Sequence, residues 1–95
     1  MRRAPKRDGN EAAIIAALRA VGASVTQLDG VGVPDLVVGW RGKTHLLEVK
    51  DGGKPPSHRR LTPAQREWHA AWRGGSLVVV ADIDAALAAI GAAVR

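Results

Sequence analysis

The chain has 95 residues, enough to bury one modest core and too few to divide it between two domains. It carries no cysteine, which excludes a disulfide framework, a thiolate zinc site and a cysteine nucleophile, and Trp40, Trp68 and Trp72 are its only aromatics, too few for a base-stacking platform. Fourteen Lys and Arg against nine acids leave a net charge of +5, which suits a polyanionic partner as well as plain solubility.

In chain order, residues 1–9 read as a flexible basic tail with Arg2, Arg3, Lys6 and Arg7. Ile14, Ile15, Leu18 and Val21, spaced by threes and fours, predict a helix over 10–21, with Asp8 and Glu11 in the form of a capping box and Gly22 after its end. A short alternation over 24–28 predicts a strand, and the glycine-rich DGVGVP a loop. Strands follow at 36–40 and 44–50, joined around Arg41-Gly42-Lys43 as a hairpin. DGGKPPSHRR, with Lys54, His58, Arg59 and Arg60, is too rich in Gly, Pro and charge for regular structure. Thr62-Pro63-Ala64-Gln65 opens a helix over 63–73 with a capping hydroxyl, an early proline and a glutamine that completes the box. Trp68 and Trp72, four apart on that helix, are expected in the core. After Gly74-Gly75, residues 77–81 predict a buried strand, and Asp82 caps a last helix whose Ile83, Leu87 and Ile90 share a face. The order is αβββαβα, an α/β fold in one domain over 10–95.

The hairpin carries chemistry. If Arg41 and Gly42 form a two-residue turn, Trp40 faces Lys43, and the same register sets Asp35 opposite Glu48. Lys50 is two residues on, on the same face of the pleat and about 7 Å along the strand. Two carboxylates at such range repel unless a cation lies between them, and hard oxygen ligands favour Mg²⁺ or Mn²⁺ over zinc. A metal there would polarise a phosphate oxygen and activate water, and a lysine beside it would orient that water or stabilise developing charge. The bland alternative is a solvated Glu-Lys face with Asp35 capping a turn after Pro34.

GVPDLVVG at 32–39, HLLEVK at 45–50, LTPAQREW at 61–68 and NEAAI at 10–14 resemble the PD-(D/E)xK nuclease superfamily, and within it the virus-type replication-repair nuclease (VRR-NUC) domain. The resemblance spans nearly the whole chain. It implies a restriction-endonuclease-like αβββαβ core with a mixed sheet, followed here by a C-terminal helix. It implies metal ligation by Asp35, Glu48 and the backbone carbonyl of Val49, a catalytic Lys50, and Mg²⁺ or Mn²⁺ as cofactor. It also implies a DNA substrate, four-way or otherwise branched, for an endonuclease of phage or prophage type that is similar in outline to Holliday junction resolvases. A homodimer is expected, since symmetric cutting of two strands needs two sites.

The resemblance gives Glu11 a metal or water-ligand role and Gln65 a place in the site, which its shared face with Trp68 and Trp72 favours; each also has the spacing of a helix cap. The three histidines have neither metal spacing nor a nucleophile beside them, so a histidine-based mechanism has little support, although His58 could touch phosphate. Gly30 and Gly32 lack a following GK[ST], so no nucleotide cofactor is expected, and the glycines read as letting the loop pass close to metal or DNA. Arg2, Arg3, Lys6, Arg7, Lys54, His58, Arg59 and Arg60 are the candidate DNA contacts. No apolar run approaches the roughly 18 residues of a membrane span and no signal peptide is evident, so a soluble protein of a bacterial or phage-infected cytoplasm is expected. Two rival readings are a non-catalytic DNA-binding module on the same fold and a small assembly protein.

Overall fold

The computed structural model describes residues 7–92 of the chain. Its elements are α1 (Glu11–Ala20), β1 (Ser24–Gln27), β2 (Leu36–Trp40), β3 (Lys43–Val49), α2 (Pro63–Ala71), β4 (Leu77–Val80) and α3 (Ile83–Ile90), with one 3₁₀ turn at Pro56–His58 inside the proline-rich loop. This is the expected order, a mixed α/β fold with helices flanking the sheet. The strands lie β1-β2-β3-β4, antiparallel across the first three, with β4 parallel to β3. The parallel pair needs a crossover, and α2 supplies it.

The hairpin forms in the expected register. Arg41 (φ 49°) and Gly42 (φ 78°) are both left-handed, as a two-residue type I′ turn requires. Trp40 therefore pairs with Lys43 and Leu36 with Leu47. Because side chains alternate along each strand, this register decides what each face carries. One face presents Val25, Leu36, Val38, Leu47, Val49 and Val80, which pack with Ile14, Ile15 and Leu18 of α1 and Ala86 and Ile90 of α3 to form the core. The other presents Leu46, Glu48 and Val79 and meets α2.

Three details correct the sequence reading, and a fourth adds to it. α2 buries none of its residues, so Trp68 and Trp72 are not core: they stack on each other at 5.3 Å, Trp68 half-buried and Trp72 exposed, with Trp72 Nε1 donating to the Gly75 carbonyl. α2 also ends two residues early, since Trp72 has turned extended (ψ 129°). The Asp8–Glu11 capping box is absent: Asn10 holds the N-cap position without a side-chain cap, and Glu11 N–H donates instead to the Asp8 backbone carbonyl. Gly32 (φ 77°) also makes a close approach to α2, because a Cβ there would lie 2.5 Å from the Ala64 carbonyl oxygen. Among the described residues, no helix is long and apolar enough to cross a membrane.

Candidate active site

Asp35 ends the loop that feeds β2, one step past the Leu36–Leu47 pair, so the register carries it opposite Glu48. Backbone bonds hold it from two sides. Leu28 N–H donates to its carbonyl at 2.8 Å, and Val49 N–H donates to its Oδ2 at 2.7 Å. Glu48 lies inside β3 and is only 1% exposed. Its carboxyl is pushed up to about 8, first by burial and then by the neighbouring Asp35, with Lys50 pulling the other way. The two acids thus crowd one point that calls for positive charge.

Lys50 follows on the same face, also buried, and its Nζ donates to Gln65 Oε1 at 2.8 Å. Gln65 in turn donates from Nε2 to Glu48 Oε2 at 3.2 Å. It is also the capping residue foreseen for α2: its Oε1 accepts from Thr62 N–H, and its own N–H donates to Thr62 Oγ1. The two roles open for Gln65 coexist, because the cap at the start of α2 is built against the site.

Sequence reasoning missed His69. One turn after Gln65, its Nε2 lies 3.1 Å from the other Glu48 oxygen, Oε1. Burial and the charge of Lys50 lower its pKa. The i, i+4 spacing from Gln65 was the available signal, since it places both side chains on one stripe of the helix.

Glu11, 2% exposed, points inward as its helix face required, with one carboxylate oxygen engaged and the other, Oε1, buried without a hydrogen-bond partner. Oε2 accepts from Arg7 Nη1 and Gln27 Nε2, both at 2.9 Å. Burial raises its pKa, partly offset by those two donors. Arg7 reaches further, to the Leu28 carbonyl, to Asp29 at 3.2 Å and to Asp35 Oδ1 at 3.8 Å. The arginine counted among the tail's phosphate contacts is thus spent on the domain's own acids, bridging Glu11 and Asp35. Of the remaining basic candidates, Lys54 pairs loosely with Asp8 at 3.6 Å, His58 and Arg60 are exposed, and Arg59 is half-buried. Arg2, Arg3 and Lys6 lie outside the described residues.

Among the described residues, no three of His, Cys, Asp or Glu are arranged to hold a metal ion. The acids that converge are a pair, Asp35 and Glu48, with Lys50 on the same face.

No family model matches the sequence, and no curated protein does. A solved structure described as a VRR_NUC domain matches with a TM-score of 0.62 and 28% identity, over 80% of this chain and 84% of its own. This chain is similar to a VRR_NUC domain. The VRR_NUC likeness agrees with the mixed four-stranded sheet, the flanking helices and a restriction-endonuclease-like fold.

Proposed function

We propose that this protein is a nuclease of the PD-(D/E)xK type: a divalent-metal-dependent DNA endonuclease, selective for four-way or other branched DNA, working as a homodimer in a bacterial or phage-infected cell. The observation that carries it is the crowding of Asp35 and Glu48, one of them lifted to about 8, with Lys50 on the same face. The similarity to a VRR_NUC domain supports the nuclease reading.

Asp35, Glu48 and the Val49 carbonyl would hold Mg²⁺ or Mn²⁺, which when bound supplies Lewis-acid polarisation of phosphate and an acidified water. Lys50 places a positive charge beside the phosphate under attack and, through its free N–H groups, orients the water in line with the scissile bond. Gln65 fixes the ammonium by accepting from it. Lys54, His58, Arg59 and Arg60 lie along the backbone of the DNA, with Arg2, Arg3 and Lys6 of the tail, so binding weakens steeply with salt.

Purified protein with Mg²⁺ or Mn²⁺ is expected to cut a four-way junction, and Asp35→Ala, Glu48→Ala and Lys50→Ala to abolish cutting while retaining the fold. Full activity in Glu48→Ala would sink the proposal. Two observations favour a second reading, a DNA-binding module without catalysis: both Glu48 oxygens already accept or share hydrogen bonds, and Arg7 stands among the acids. Salt-sensitive DNA binding with no cleavage in any metal would support that reading instead.

A further inference from the structure

Glu48 is gripped from above by two side chains of a single helix. Gln65 and His69 stand one turn apart on α2, and each takes a different oxygen of the same carboxylate, Oε2 at 3.2 Å and Oε1 at 3.1 Å. α2 buries no residue fully and has little apolar grip on the sheet, so these polar contacts, with the Gln65–Lys50 bond, are its directed links to the site. The His69 side chain is only 15% exposed, and the Glu48 side chain 1%. A carboxylate with two free torsions beyond Cβ would sample several orientations in a cavity; hydrogen-bond partners on opposite oxygens leave it one plane.

We infer that His69 is a positioning residue for the Glu48 carboxylate, fixing from Nε2 the plane in which Glu48 would present its oxygens to a divalent cation. The inference rests on the metal-dependent reading above and deepens it. The histidine touches neither substrate nor metal. With a divalent cation bound and Glu48 ionised, His69 would donate from Nε2–H to Oε1 and leave the remaining lone pairs of that carboxylate for the cation. Gln65 cannot do this alone, because it holds a single oxygen and its own Oε1 is committed to Lys50 and Thr62.

The test measures Mn²⁺ binding by titration calorimetry on the full chain, beside junction cleavage and thermal unfolding. His69→Ala is expected to weaken Mn²⁺ binding about 10- to 100-fold, with a parallel fall in cleavage that excess Mn²⁺ partly restores. His69→Gln, whose amide nitrogen falls near the Nε2 position, is expected to recover most of the affinity. His69→Asn, whose amide falls near Nδ1, is expected to stay as weak as alanine. A packing role would not separate Gln from Asn in this way, and that comparison stands even if the alanine variant folds poorly. Mn²⁺ affinity equal to wild type in His69→Ala, or equal affinities in the Gln and Asn variants, would overturn the inference and leave the nuclease reading intact. Wild-type protein that binds no Mn²⁺ would overturn both.

Discussion

The two faces of the sheet are built on opposite terms. On one, α1 and α3 seal Leu36, Val38, Leu47 and Val49 against Ile14 and Leu18, leaving the cluster close to dry. On the other, α2 rests on the sheet without burying any residue of its own, and beneath it lie an acid, a lysine and their polar partners. Stability is concentrated where chemistry is absent. A core face can be over-determined by close packing, which frees its opposite face to hold two crowded carboxylates that cost folding energy. The strands are shared, so residues 47 and 48 serve the two purposes in adjacent positions of β3.

That contrast can be broken most sharply at Glu48. Replacing Glu48 or Asp35 by alanine is expected to lower cleavage about 10²- to 10³-fold or beyond, without loss of the cooperative unfolding transition. Circular dichroism melts beside a junction-cutting assay check both halves. The neighbouring Leu47→Ala should behave in the reverse sense, costing about 2–5 kcal/mol by denaturant titration because it empties a fully buried site in the core cluster. Similar stability losses at 47 and 48 would end the contrast.

The site face should also announce itself through pH. A carboxyl whose pKa rises from 4.5 to about 8 on folding binds more protons in the native state than in the unfolded state between those values. Its contribution is complete below pH 4.5 and is lost as pH rises through about 8. Melting in chelator is therefore expected to weaken across that window, and Glu48→Gln to flatten the trend. An unchanged slope in the Gln variant would assign the dependence to other groups. Smaller effects refine the picture from both sides. His45 lies on the core face with both ring nitrogens buried and unpartnered, so His45→Leu is expected to stabilise by about 1 kcal/mol. Trp72→Ala, which loses only the stack on Trp68 and an exposed hydrogen bond, is expected to cost about 1 kcal/mol.

Sequence alone carried the features that depend on near neighbours. The Arg41-Gly42 turn set the register of Asp35 and Glu48, and Thr62 with Gln65 and Asp82 with the Ala85 N–H formed the caps expected of them. It failed where a local pattern competed with a distant partner. Asp8 and Glu11 had capping spacing, but the Glu11 carboxylate found Gln27 from another strand and Arg7 from the chain before it. The tryptophans of α2 had core spacing, yet helical periodicity reports only that a helix has two sides, not how much covers the nearer one. His69 was invisible for the same reason, since its contact with Glu48 exists only once α2 is laid across β3.

Gly32 gives that arrangement a mechanical meaning. Its α-carbon comes so near the Ala64 carbonyl that a single added methyl carbon would fall 2.5 Å from the oxygen. The loop bearing Asp35 and the helix bearing Gln65 and His69 therefore rest on one another as hinge leaf on hinge leaf. Gly32→Ala would work as a wedge, prising Asp35 away from Gln65 and His69 without altering any of the three side chains. The spacing between that loop and α2 is set by a side chain that is not there.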